Sequence, residues 1–215
     1  RHKGFIPWDD DIDISMPRED YNKFLKIAQT ELNKDYSLHN KLVDTRNYIL
    51  ATKVRDRKSI YVEHGREGDA PNGANGIFVD IFPVDRIQKR HVKIFNFLRT
   101  LYNTGPFKPK YQSIKTKSLN YAFSFLYPLR GVFKFILTKL HSKSGDIYIL
   151  GHEVPFKLSY PQKLVYPLKK INFENSNFNC PQQEKLILES LFGDYNQLPP
   201  INQRRVHAID IRFFD

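Results

Sequence analysis

Apolar residues recur at helical spacing soon after the chain begins. Tyr21, Phe24, Leu25, Ala28 and Leu32 fall three or four apart, the stripe of an amphipathic helix. Ser15 or Met16 stands at its cap, with Pro17 near the first turn. Glu19 and Asp20 suit the positive end of the helix dipole. Residues 48–54 and 60–63 read as strands, and residues 33–45 as a polar loop. Residues 76–83 predict a buried strand, apolar on both faces, in which Asp80 is the one acid. Pro83 is expected to end it, and Asp85 to lie in a turn and cap the next helix. Residues 87–102 predict that helix, with Ile94, Phe95, Leu98 and Leu101 on one side and Lys89, Arg90, Lys93 and Arg99 elsewhere. Residues 119–140 are apolar and aromatic, broken by Pro128 and Gly131. A strand is expected within 165–174, then a helix over 182–192 that Gly193 stops. The glycine-rich stretch 65–76 lacks the spacing of a phosphate or dinucleotide loop and reads as a flexible connection.

Charge changes this picture in two places. Thirteen of the 34 Lys and Arg lie between Arg86 and Gly145, a segment with no Asp or Glu. The rest of the chain carries 21 basic against 23 acidic residues, so the net charge of +11 has one address. The same segment holds 11 of the 30 aromatic residues. Basic and aromatic interleaving suits contact with an anionic membrane surface, and suits equally a packed helical subdomain with lysines outside. No apolar run reaches the ~18 residues of a membrane-spanning helix. The single cysteine, Cys180, excludes an internal disulfide and a cysteine-rich zinc site.

The second place is Pro7-Trp8-Asp9-Asp10-Asp11-Ile12-Asp13-Ile14, four acids in five positions of a basic chain. Read as a strand, Asp9, Asp11 and Asp13 share one face, while Asp10, Ile12 and Ile14 take the other. Trp8, Ile12 and Ile14 are expected to wall the acids. Carboxylates so placed repel unless a cation or basic groups neutralise them. Mg²⁺ takes a few carboxylates together with substrate phosphate oxygens, so the stretch points to metal-dependent phosphate chemistry. An acidic surface turn is the plainer reading. A calcium loop fails, because Ile14 stands where that loop requires glycine. Asp80 is the natural partner of Asp11 and Asp13, because a buried carboxylate must be paired or metal-bound. Pairing of Asp80 with a lysine or arginine is the competing expectation. Arg1, Lys3, Lys53 and Arg55 are candidate phosphate contacts, with ordinary solvent exposure as the alternative.

The residues from Arg1 to Ile14, followed by Met16-Pro17-Arg18-Glu19-Asp20-Tyr21, resemble the first signature of the LicD family. These are bacterial phosphocholine transferases related to fukutin and fukutin-related protein. Val79-Asp80-Ile81-Phe82-Pro83-Val84-Asp85 is similar to the second motif of that family. Pro167-Leu168, Phe173-Glu174, Gly193-Asp194-Tyr195 and Leu198-Pro199-Pro200 are similar to its C-terminal signature. The resemblance implies an α/β (α+β) fold, a nucleotidyltransferase-like mixed sheet flanked by helices. A single domain over 1–215 is expected, with a basic aromatic helical insertion at about 86–145. It implies that Asp11, Asp13 and Asp80 bind Mg²⁺ or Mn²⁺ and that Asp9 is a further catalytic acid. It also implies transfer of a phospho-alcohol from a CDP-linked donor to a sugar hydroxyl, with CMP leaving. The acceptor would be a cell-surface polysaccharide or glycolipid, such as lipopolysaccharide or teichoic acid. Nucleotidyl transfer on the same fold and a non-catalytic binder of anionic surfaces are the other readings; nucleic acid is not the expected partner. The glycine-serine or glycine-threonine turn that precedes the acids in this superfamily is absent, so upstream residues are expected to be missing. The expected location is cytoplasmic, at the inner face of the bacterial cytoplasmic membrane.

Overall fold

The computed structural model describes residues 2–40, 52–63, 75–103, 124–204 and 206–214. The elements run β1 (Asp13–Pro17), α1 (Arg18–Glu31), β2 (Tyr36–His39), β3 (Thr52–Asp56), β4 (Ser59–Glu63) and β5 (Phe78–Ile87). There follow α2 (Val92–Asn103), α3 (Arg130–Lys139), β6 (Ile147–Leu150), β7 (Ser159–Pro161) and the single turn α4 (Gln162–Val165). The chain closes with β8 (Lys169–Phe173), β9 (Ser176–Cys180), α5 (Glu184–Phe192) and β10 (Ala208–Phe213). Strands β1, β2, β3, β5, β6 and β7 form one six-stranded sheet. β1 joins β5 in parallel, and the other pairings in this sheet are antiparallel. The sheet is mixed and flanked by helices, as the resemblance implies. β10 pairs with β4, and β8 with β9, as separate two-stranded ribbons.

β5 organises the whole, hydrogen-bonding to β1, β3 and β6. Its side chains alternate strictly. Ile81, Pro83, Asp85 and Ile87 are buried, while Asp80, Phe82, Val84 and Arg86 are half-buried. Period-two alternation therefore gives it one core face and one more open face. The expectation of a strand apolar on both faces is corrected accordingly. So is its end: β5 runs through Pro83 for four more residues, and Asp85 lies in the strand rather than capping a helix. The Pro83 carbonyl still accepts a bond, from the Gly151 N–H at 2.7 Å.

The core face carries the helices. Ile87, Ile147 and Ile149 of the sheet meet Phe95 and Leu98 of α2 and Leu137 of α3 in one buried cluster. Val92, Tyr102, Phe133 and Leu140 pack around it. Arg99 of α2, expected on the polar side, is only 1% exposed. It donates to the Leu150 carbonyl at 3.0 Å and to Asn96, and burial lowers its pKa to about 10. α1 covers the other end of this face. Tyr21 and Ala28, both on the predicted stripe, are buried, and the Tyr21 hydroxyl meets Thr52 Oγ1 at 2.5 Å. The helix starts later than its sequence predicts, because β1 extends to Pro17 and Pro17 is the N-cap. α5 ends as expected at Gly193, whose φ of +66° is a conformation that glycine adopts without Cβ strain. The predicted strand at 48–54 is described only from Thr52, and most of the loops 65–76 and 104–117 lie outside the described residues.

Candidate active site

The open face of the sheet bears a row of charge. Asp13 of β1 faces Asp80 of β5 in register, and Lys53 of β3 faces Asp80 from the other side. In-register residues share a face, so Asp13, Asp80 and Lys53 stand side by side. Lys53 Nζ lies 2.8 Å from Asp80 Oδ1 and 2.9 Å from Oδ2. It also sits 3.3 Å from the centroid of the Phe78 ring. Lys53 is only 8% exposed, and burial lowers its pKa although Asp80 opposes the shift. Burial raises the pKa of Asp80 despite Lys53. Asp13 has no such partner. Desolvation, then the charges of Asp11 and Asp80, lift its pKa to about 6, with Lys53 opposing.

The remaining acids precede the strand. β1 begins at Asp13, not at Asp9, because the chain first turns at Pro7 and Trp8. The Asp9 N–H closes this turn on the Ile6 carbonyl at 2.9 Å. Asp9 and Asp11 nevertheless meet. Their carboxyls and His207 each offer a ligand atom, all within 4.8 Å of one another. Desolvation and the Asp11 carboxylate raise the pKa of Asp9. The expected apolar wall is looser than its sequence suggests, since Ile12 is 39% and Ile14 44% exposed.

Asp10 does something different. Its carboxylate accepts from the Ala208 N–H at 2.7 Å, the His207 N–H at 3.1 Å and the Tyr61 hydroxyl at 3.0 Å. His207 Nδ1 lies 3.0 Å away. Burial alone would raise its pKa, but these donors together bring it below the usual value. Asp10 thus fastens the start of β10 and strand β4 to the acidic stretch. The strand alternation expected over Asp9 to Asp11 is corrected, since these residues precede β1, and Asp10 and Asp11 both reach His207 Nδ1, at 3.0 and 3.7 Å.

The C-terminal third braces the same stretch. Phe5 stacks edge-on against Phe173 with ring centroids 5.0 Å apart. The Phe5 N–H donates to Glu174 Oε1 at 3.0 Å, and the Glu174 N–H to the Lys3 carbonyl at 2.7 Å. A Cβ on Gly4 would meet Glu174 Oε1 at 1.9 Å, so a larger residue there would push this carboxylate off the Phe5 N–H. Arg204 lies over the Trp8 ring, 4.4 Å from its centroid.

The basic candidates divide. Lys53 belongs to the row, but as the partner of Asp80. Arg55 donates to the Gly76 carbonyl at 2.9 Å and stacks on Phe78. Lys3 is exposed, at φ +56°. Arg1 lies outside the described residues. From the sequence His207 reads only as a phosphate contact or ordinary surface charge, and nothing local joins it or Tyr61 to the acidic stretch, which ends 194 and 48 residues before them. A cavity of about 620 Å³ lies by Lys89, Asp146, Gln162 and Tyr166, and none of the acids lines it.

The residues fit a hard divalent cation. Asp9 and Asp13, which make no ion pair with a lysine or arginine among the described residues, have raised pKa values beside Asp11, and a cation would relieve that repulsion. Residues 1–130 match the LicD/FKTN/FKRP nucleotidyltransferase domain. The chain is also 25% identical, over 234 aligned positions, to the lipopolysaccharide cholinephosphotransferase LicD of Haemophilus influenzae. That alignment covers 97% of this chain and 82% of the relative. No solved structure matches. The family match spans more than half of the chain and takes in Asp9, Asp11, Asp13, Lys53 and Asp80 together, and the chain therefore belongs to the LicD family.

Proposed function

We propose that this LicD-type phosphotransferase moves a phospho-alcohol, phosphocholine or a close analogue, from a CDP-linked donor to a sugar hydroxyl of a cell-surface glycan. The observation that carries this reading is the row of Asp13, Asp80 and Lys53 beside Asp9 and Asp11, in a chain similar to a cholinephosphotransferase. Asp11, Asp13 and Asp80 would hold Mg²⁺ or Mn²⁺, with Asp9 beside them. When bound, the cation neutralises charge on the donor's diphosphate and orients it. The chain's own residues do the rest. Lys53 keeps Asp80 ionised and fixed within the row. Asp9, which stands beside the ligands, accepts the proton of the attacking hydroxyl. The new P–O bond forms at the donor's phospho-alcohol phosphorus, and the P–O bond to CMP breaks. Arg1, Lys3 and Arg55 remain the candidate phosphate contacts.

The test uses the full-length protein with Mg²⁺, a lipopolysaccharide-type acceptor, and labelled CDP-choline, CDP-glycerol or CDP-ribitol. Release of CMP together with label on the acceptor is expected, and should vanish in Asp11→Ala. Label arriving as a nucleotide would turn the reading to nucleotidyl transfer. No turnover with any donor would overturn both.

The acceptor is expected at a membrane surface. Among the described residues no helix is long and apolar enough to cross a membrane. α3 instead exposes Val132 and Phe135, 53% and 61% accessible, beside exposed Lys134 and Lys139. Peripheral contact through 86–145 follows from that pairing. Flotation with anionic vesicles checks it, and binding that ignores both salt and anionic lipid content would remove it.

A further inference from the structure

β5 carries a second cluster, on its other face. Asp85 of β5, His141 just after α3 and His152 just after β6 each offer one ligand atom, and the three lie within 4.8 Å of one another. The surroundings differ from those of the carboxylate row. Asp85 is fully buried and His152 is 3% exposed. Neither ring nitrogen of His152 makes a hydrogen bond among the described residues. Buried polar groups are nearly always satisfied, so such an imidazole calls for an explanation. Glu153 does not supply one. Its nearer oxygen is 3.6 Å from His152 Nδ1, and both its oxygens are turned to Arg18 at 2.8 Å. His141 Nε2 lies 3.1 Å from Asp85 Oδ2. The two imidazole rings stand 6.5 Å apart, centroid to centroid, tilted by 38°. Tyr102 packs edge-on against His152 at 5.0 Å, and Phe95 lies 6.3 Å from His141.

We propose that Asp85, His141 and His152 form a buried structural site for a divalent transition ion of the zinc class. Two imidazoles and one carboxylate are a donor set that zinc takes, at ligand distances of roughly 2 Å. They are a poor set for Mg²⁺ or Ca²⁺, which take oxygen, so this site and the carboxylate row select different metals. Arg18 is no obstacle. It contacts Asp85 Oδ1 through Nε at 2.6 Å and Oδ2 through an NH₂ group at 3.0 Å. A carboxylate has about four acceptor positions, so a position remains on Oδ2. Arg18 then orients the ligating carboxylate, as hydrogen-bonded neighbours commonly do in metal sites. A solvent oxygen completes four-coordination. The ion ties three segments together: β5, the end of α3 and the turn after β6.

The experiment uses the full-length chain, dialysed against chelator and reloaded with Zn²⁺ or Co²⁺ in the presence of millimolar Mg²⁺. One equivalent of Zn²⁺ is expected to remain, with the visible absorption bands of tetrahedral Co²⁺ in the cobalt form. Asp11→Ala should keep both signals, because it touches only the carboxylate row. His152→Ala should lose them, and His152→Gln, closer in size, should lose them too if the alanine variant folds poorly. Zn²⁺ should raise the Tm of the parent protein by several degrees and leave that of the His152 variant unmoved. The proposal is overturned if the parent retains no Zn²⁺, or if a His152 variant binds as much as the parent.

Discussion

One strand presents two clusters of aspartate and histidine in opposite circumstances. Around Asp80, at the open face, Asp9, Asp11 and Asp13 crowd together, and Lys53 is the basic side chain paired with Asp80 among the described residues. Around Asp85, at the core face, Arg18 and Glu153 complete a nearly balanced network. The two clusters respond to burial with opposite signs. Asp13 is lifted to about 6 by desolvation and like charge. Asp85 is fully buried, yet His141 and Arg18 outweigh desolvation and hold it at about 2. The difference separates chemistry from architecture. A site that must receive an anionic substrate keeps unresolved charge at the open face, whereas a site that holds elements together offsets most of its charge within the core.

The largest expected effect lies in the open cluster. Asp13→Ala should lower transfer by about 10²- to 10³-fold, as loss of a charge-stabilising group commonly does, with little change in the urea midpoint. Steady-state rates and urea unfolding check both halves, and equal losses of rate and stability would blur the comparison. Next comes Asp85→Ala, which leaves Arg18 buried with half its partners. A loss of about 3 kcal/mol or more is expected in urea unfolding, and an unchanged midpoint would break the contrast.

Asp10→Ala tests the tie between the two ends of the chain. It removes the acceptor of the Ala208 N–H and of the Tyr61 hydroxyl, at an expected cost of about 1–3 kcal/mol. Hydrogen exchange should accelerate in β10 and β4, and not in α2. The pH dependence is smaller and has two signs. Asp85 titrates below its unfolded value of 3.8, so its contribution, about 2 kcal/mol, is present above pH 4 and lost as the pH falls toward 2. Asp13 titrates above that value, so it favours the native state at low pH, and that advantage is lost as the pH rises from 4 through 6. Its partial exposure holds this effect to about 1 kcal/mol or less. Stability profiles of Asp13→Asn and the parent should diverge over pH 4–6, and parallel curves would argue against the shift.

Much of the fold was written in local pattern. The stripe Tyr21, Phe24, Leu25, Ala28 placed α1, and Gly193 placed the end of α5. The aromatic stretch read as broken by Pro128 and Gly131, whereas α3 begins at Arg130 and runs through Gly131. The misplaced boundaries share a cause. Pro17 and Pro83 read as punctuation, but each sits in a strand. Tertiary pairing of β1 with β5 overrode that local signal. Arg99 read as surface charge, and a buried carbonyl acceptor drew it inward.

The residue order alone determined the acidic stretch and its family, because those depend on residue identity and short spacing, and it left Asp80 open between those acids and a basic partner. Lys53 as the partner of Asp80, Asp10 as the clasp of β10, and His207 beside Asp9 and Asp11 were decided only by the tertiary structure. Each is a contact between segments far apart in the chain, and no local periodicity encodes which distant side chain will arrive. The same holds for Asp85. Its neighbours in the chain marked it as a turn residue, and the register of β5 against the helices made it the buried centre of a second site.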